Sequence, residues 1–320
     1  HDALPICCYH GGSYLARLGS IARNPARILL SKASPRLERH HGARATHGPH
    51  PDSDRRTNVL ERGQLVHPGP LISYRLIVSY EGTNYYGWQK TRSFPTIQQE
   101  IETACQRIFQ EHISCEAASR TDRGVHATGQ VVHFLTTKEM EPNRLRKALN
   151  AVLPPDIRIV QTHLAPPTFH PSLHTRAKTY RYHLCLGPTQ MPFERRFSWH
   201  YPYPMDLGIL RSAALQFIGT FDFSALTTEP QHDNVRTLER IEITELLDQR
   251  LCIEMTADRF LYKMARTIAG TLANIGSGKL SMDIIPLLFA SRNRILAGQT
   301  APAHGLTLYH VHYDEPGPAP

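Results

Sequence analysis

The sequence predicts an α+β protein built from two similar-sized halves. Strand and helix patterns alternate twice between Ser73 and Val152, and a second round of strands and helices follows from Thr179 onward. Between the rounds lie Pro166, Pro167 and Pro171, whose fixed φ and missing N–H favour a linker over an element. A length of 320 residues fits two domains of about 100–200 residues each. The expected division is a basic, disordered extension over 1–70, a first α+β half over 71–170 and a second over 171–320. No clean repeat relates the halves.

In the first half, Tyr74 to Tyr80 (Y-R-L-I-V-S-Y) reads as a mostly buried strand, and Glu81-Gly82-Thr83-Asn84 turns the chain. Pro95 opens a helix in which Ile97, Ile101, Cys105, Ile108 and His112 recur at helical spacing. Gly129 to Leu135 reads as a strand, and Pro142 to Val152 as a short amphipathic helix closed by Pro154-Pro155. In the second half, Thr179 to Leu184 has strand character, and Asp206 to Ile218 is helical with Gly219 as its stop. Glu239 to Leu246 and Leu251 to Thr256 flank Leu247-Asp248-Gln249-Arg250 as a hairpin. A helix is expected over Phe260 to Ile275, with Leu261, Met264, Ala265, Ile268, Leu272 and Ile275 on one face and Gly276 as terminator. Leu306 to Tyr313 closes the chain as a strand.

Composition limits the class of function. No apolar run reaches the ~18 residues of a membrane helix, so a soluble protein with no membrane partner is expected. The net charge of +8 is uneven, since residues 1–70 hold ten Lys/Arg against five Asp/Glu while 71–320 hold 26 against 23. The overall basicity is therefore no argument for a nucleic-acid partner without a local basic surface. Six cysteines, none in a C-x-x-C pair, are the usage of a reducing compartment, and a cytoplasmic location follows. Residues 1–50, with seven Lys/Arg, two Asp/Glu and several serines, also have the composition of an organelle transit peptide. No cofactor motif is present, and the tail histidines lack ligand spacing.

The chemistry concentrates in S-R-T-D-R-G-V-H-A-T-G-Q-V-V-H-F, Ser119 to Phe134. A T-D-x-G sequence is an ordinary turn. Here Arg120 and Arg123 flank Asp122, and positive neighbours favour a carboxylate anion, which can serve as a nucleophile. The same arginines can grip phosphate through paired hydrogen bonds. Asp122 and His126 could instead be read as ligands in a metal-dependent phosphodiesterase, a reading that the neighbouring cations oppose. Gly276-Ser277-Gly278-Lys279 lacks phosphate-loop spacing and reads as a helix C-cap. Tyr180 and Tyr182, with Lys178 and Arg181 interleaved, suit either a half-buried aromatic strand or a base-stacking surface. Arg266, close to an apolar helix face, either extends to solvent or pairs with a carboxylate such as Asp122.

These residues resemble the signature of the TruA family of tRNA pseudouridine synthases, G-R-T-D-A-G-V-H-A followed by G-Q-V and H-F. Further motifs follow in family order: Y-E-G-T-N-Y-Y-G-W-Q from Tyr80, L-P-P-D-I from Leu153, G-T-F-D-F from Gly219, F-L-Y-K-M-A-R from Phe260 and A-P-A-H-G-L-T-L from Ala301. The resemblance spans about 71–315. It implies two α+β halves whose antiparallel sheets join into one curved surface with a central cleft, the pseudouridine synthase fold, and a homodimer. It implies cofactor-free, metal-free isomerisation of uridine to pseudouridine in tRNA, at positions 38–40 of the anticodon stem-loop. By the same carry-over Asp122 is the nucleophile and Arg266 its helix partner. Arg120 helps to extrude the nucleotide, Tyr180 stacks on the uracil, and Leu308 packs near the base. The chain departs from the family pattern at Arg123, where a small residue is usual, and at Ser172, Phe221 and Thr267. A non-catalytic RNA-binding protein of this fold and a synthase acting on a different RNA are the alternatives.

Overall fold

A computed structural model describes residues 70–314, so the expectations for the basic extension, including organelle targeting, lie outside the described residues. The first strands are β1 (Ile72–Tyr80), β2 (Glu116–Ala117), β3 (His126–Thr136) and β4 (Ile157–Leu164). They are followed by β5 (Thr175–Cys185), β6 (Trp199–His200), β7 (Gly219–Asp222), β8 (Val235–Leu246), β9 (Arg250–Ala257) and β10 (Leu306–Tyr313). The helices are α1 (Ile97–Phe109), α2 (Pro142–Val152), α3 (Leu207–Leu215), α4 (Met264–Gly276) and α5 (Ile284–Ser291). All ten strands belong to one unclosed sheet, whose main path runs β4-β1-β3-β10-β5-β9-β8-β7. The α+β expectation is met by this single sheet.

Residue chemistry accounts for most boundaries. Thr96 caps α1 by accepting from the Gln99 N–H, and Asp206 caps α3 by accepting from Ile209. Glu141 accepts from the Asn143 and Arg144 N–H groups at the start of α2, where Pro142 occupies the first turn. Pro286 is the third residue of α5, still in its first turn, a helix the sequence pattern did not announce. In β1, Tyr74, Leu76, Val78 and Tyr80 are buried in alternation, the two-residue period that pleating imposes. The β8–β9 hairpin turns through Asp248 and Gln249, both at positive φ (59° and 54°), as tight turns of this hand require.

Three helix boundaries differ from the sequence pattern. Phe260 to Lys263 are not helical, because Lys263 adopts the left-handed conformation (φ 59°) and α4 starts after it. α4 ends at Gly276, one residue beyond Ile275. An added Cβ at this last residue of the helix would fall 2.3 Å from Met205 Sδ, and Gly278 takes the positive φ of 72°. α3 stops at Leu215 rather than Ile218, and Gly219 already belongs to β7.

Helices α1 and α2 pack on each other and α2 on β4, while α3 packs on α4 and on β8. One continuous cluster of buried side chains runs from Tyr74 and Phe109 through Tyr182 to Leu272 and Val311. At the middle of the sheet β3 meets β10 in parallel, through Thr307 opposite His126 and Leu308 opposite Ala127. The sheet is thus antiparallel except at this seam and at the short β5–β6 pair. A parallel pair needs a long crossover connection, and here it is the whole stretch between Thr136 and Leu306.

Candidate active site

The loop Ser119 to Val125 joins β2 to β3 at this seam. It is a turn, closed by the Val125 N–H donating to the Asp122 carbonyl at 3.1 Å, with Gly124 at φ 79°. The turn reading of T-D-R-G is the conformation found. The loop is anchored below by a polar network. Thr121 is buried with its hydroxyl 2.8 Å from the Tyr80 hydroxyl. The Gln130 side chain, fully buried, donates to the Ser119 carbonyl at 2.6 Å and accepts from the Ser119 N–H at 3.2 Å. Burial pushes the Tyr80 phenol up to about 12, so this hydroxyl is neutral.

The turn after β1 locks the loop from the side. Gly82 donates its N–H to His126 Nδ1 at 3.0 Å, and a Cβ at Gly82 would lie 2.0 Å from the Val125 carbonyl oxygen. Gly87 has φ +87°, and a Cβ there would meet the Thr121 oxygen at 2.5 Å, so only glycine fits. The neighbouring Trp88 N–H donates to that same oxygen at 3.0 Å. His126 also places Nε2 3.1 Å from the His304 carbonyl. Both of its ring nitrogens thus serve backbone groups, and the metal-ligand reading of His126 fails on that geometry.

Asp122 is partly buried, and its Oδ2 accepts from Arg266 Nη1 at 2.9 Å. Arg266 Nε donates to the Ala301 carbonyl at 2.8 Å, so the guanidinium plane is held at two points. Of the two readings of Arg266, the ion pair is the one found. The residue lies in the first turn of α4, where the helix dipole disfavours a cation, and the Asp122 carboxylate compensates it.

Tyr180 on β5 is buried, its hydroxyl lies 2.8 Å from Ser119 Oγ, and its ring meets Phe260 edge-on with centroids 4.9 Å apart. Burial, reinforced by the Asp122 charge, raises the phenol well above its ordinary value despite the Ser119 hydrogen bond. Strand alternation separates the two cations flanking Tyr180. Lys178 shares its face and lines the cleft, whereas Arg181 turns to the other side, pairs with Glu254 at 2.7 Å and stacks on Tyr309. The basic surface expected around Tyr180 is thus half as large as the pattern suggested. Lys178 itself is buried, and no described carboxylate lies within ion-pair distance of it.

The cleft has a volume of about 730 Å³ and is lined by Arg120, Asp122, Lys178, Tyr180, Lys263 and Arg266 among others. Arg120 is exposed at its rim. Leu308 is fully buried opposite Tyr180 in the β10–β5 register, and Leu306, two residues earlier on the same strand, supplies the wall. Ser119, Gln130, Thr121 and Phe260 had no role assigned from sequence. Gln130 was visible only as part of a motif, because nothing local tells which buried amide will hold a loop.

A loop carboxylate paired to a helix arginine thus lies beside a buried tyrosine where β3 meets β10 in the single sheet. Comparison with known proteins specifies the class. The family model described as tRNA pseudouridine synthase matches residues 76–171 and 213–314. The chain is 43% identical over 244 residues to tRNA pseudouridine synthase A 2 of Protochlamydia amoebophila, covering 75% of this chain and 93% of that protein. It is 40% identical to tRNA pseudouridine synthase A 1 of Bacillus cereus (74% of this chain, 97% of that one). It is 37% identical to tRNA pseudouridine synthase A of Thermodesulfovibrio yellowstonii (76% and 100%). The chain belongs to the tRNA pseudouridine synthase family, a class of isomerases.

Proposed function

We propose that this enzyme converts uridine to pseudouridine in the anticodon stem-loop of tRNA, at positions 38–40, with Asp122 as nucleophile. The observation that carries the reading is the Asp122–Arg266 contact at 2.9 Å in a cleft lined by four cations, Arg120, Lys178, Lys263 and Arg266. A partly buried carboxylate held by a doubly anchored arginine is oriented for attack. The surrounding cations suit the phosphates of an RNA strand.

The glycosidic bond of a stacked uridine is out of reach, so the nucleotide must leave the stack, at a cost of a few kcal/mol. Arg120, free at the rim, would occupy the vacated space. Tyr180 would take one face of the uracil and Leu306 bound the pocket. The Asp122 carboxylate attacks the ribose, or assists departure of the base, and the N1–C1′ bond breaks. Uracil rotates, and a C5–C1′ bond forms as any carboxylate–C1′ bond breaks, which releases the carboxylate unchanged; the C5 proton then passes to a base and N1 takes up a proton in its place. Atoms and electrons balance without a co-reactant. Because burial holds its phenol protonated, Tyr180 is a weak general base, and a water molecule is the better acceptor.

The same reading includes a cytoplasmic homodimer. The described cysteines, Cys105, Cys115, Cys185 and Cys252, are free thiols, in keeping with a reducing compartment. Met191, Phe193 and Phe197 leave apolar surface exposed within one segment, of a kind that a second copy covers.

The test is pseudouridine formation on unmodified tRNA in EDTA, with wild type and Asp122→Ala in parallel. Product at positions 38–40 from wild type, and at least a thousandfold less from the variant, is expected. Comparable product from Asp122→Ala would remove the nucleophile, and product at other positions would correct the target.

A further inference from the structure

One departure from the family signature builds a structure of its own. Arg123 places its guanidinium carbon 4.1 Å from the centre of the Tyr86 ring. Tyr86 in turn stacks on Phe94, with centroids 3.8 Å apart and planes within 5°. Phe94 covers one face of Tyr86, so the guanidinium occupies the other, and the three side chains form layers. All three are surface groups: Phe94 is 47% and Tyr86 36% exposed, and Arg123 is exposed. Among the described residues Arg123 has no ion pair and no side-chain hydrogen bond, so its donors are free.

An exposed phenylalanine adds little to the core, and stacking costs an arginine its conformational freedom. Both are explained if the stack has a ligand. It is rigidly tied to the catalytic loop. Arg123 follows Asp122 directly, Tyr86 precedes the Gly87 that only a bare backbone can fill against Thr121, and the Tyr86 N–H donates to the Pro95 carbonyl at 2.9 Å. A pinned planar guanidinium can offer two parallel donors to a phosphate with little further loss of entropy. The outer face of Phe94 can receive a nucleobase, since every base has a π face.

We propose that Arg123, held flat against Tyr86, grips a backbone phosphate of the RNA beside the target uridine, and that Phe94 stacks an unpaired neighbouring base. The stack is a specificity element, favouring target uridines flanked by a nucleotide free to leave its helix. This rests on the tRNA reading above.

The experiment compares wild type, Arg123→Ala, Arg123→Lys and Phe94→Ala for tRNA affinity at several salt concentrations and for kcat and KM. Arg123→Ala should raise Kd and KM about tenfold and lower the slope of log Kd against log salt by about one. Its kcat at saturating tRNA should stay within about twofold, since no transition-state contact is lost. Arg123→Lys should restore the salt slope but only part of the affinity. Phe94→Ala should raise KM about tenfold with the salt slope unchanged. Wild-type Kd and salt slope in Arg123→Ala would overturn the proposal, as would a loss confined to kcat. If wild type itself neither binds nor converts the tRNA, the functional reading fails first. If wild type does both and the variants match it, the stack proposal alone falls.

Discussion

At the scale of single residues, the site combines side chains whose properties burial has changed. Lys178 is the clearest. Burial, with the nearby Arg259 charge adding and Asp258 opposing, lowers its pKa from 10.5 to about 8. The unfolded chain therefore holds this proton between about pH 8 and pH 10.5 where the folded chain has released it. Unfolding takes up a proton in that window, so the contribution of Lys178 becomes more favourable to the fold as pH rises through it. Below pH 8 the charged, desolvated ammonium costs stability. Lys178→Met should accordingly be more stable than wild type at pH 7, with an advantage that shrinks toward pH 10, while binding tRNA more weakly. Urea unfolding of both proteins at the two pH values checks this, and a constant difference would show that Lys178 keeps an ordinary pKa.

At the scale of elements, α4 shows how an active site displaces a local preference. F-L-Y-K continues the apolar spacing of the helix, yet Leu261, Tyr262 and Lys263 line the cleft instead. The Tyr262 carbonyl accepts from Thr227 Oγ1 at 2.9 Å, which fixes the segment as a wall. Lys263 then turns through the left-handed region, which costs a non-glycine residue about 1 kcal/mol. Asparagine tolerates that conformation better. Lys263→Asn should stabilise the fold by about 0.5 kcal/mol and weaken tRNA binding severalfold by removing a cleft cation. Guanidinium unfolding and a binding titration test the two effects together. A destabilised variant would show that the lysine's contact with the Tyr262 ring, 4.6 Å away, outweighs the backbone strain.

At the scale of the whole molecule, the site exists because β3 and β10, distant in sequence, pair at the seam. Two histidines of β3 tie this strand to its surroundings: His126 bonds Gly82 and the His304 carbonyl just before β10, and His133 bonds Ser73 of β1. Burial lowers the pKa of His126 and of His133 below the ordinary 6.5, and His126 bridges Gly82 to His304 only while Nδ1 is unprotonated. As pH falls below 6.5 the unfolded chain binds protons that the folded chain refuses, so stability is full above that value and declines toward pH 5. The urea midpoint should fall between pH 7 and pH 5, and His126→Gln should show a smaller fall. A midpoint unchanged over this range would count against neutral histidines on β3.

The sequence by itself determined the repertoire of elements and the chemistry of the loop. The Tyr74 to Tyr80 strand, the Pro142 to Val152 helix and the Leu306 to Tyr313 strand are local consequences of side-chain pattern and φ restriction, and they appear as read, although burial in the first alternates where the pattern suggested a mostly buried strand. Asp122 and Arg266 were legible through motif and resemblance. The short β4 went unread because only Ile157 and Ile159 of its eight residues are buried, too few to set a period. Tertiary structure alone decided that Arg266 reaches Asp122, that Lys178 faces the cleft while Arg181 does not, that Leu306 rather than Leu308 forms its wall, and that Arg123 lies on Tyr86. Each of these depends on where separately encoded elements meet in space, and residue spacing along the chain carries no record of that distance.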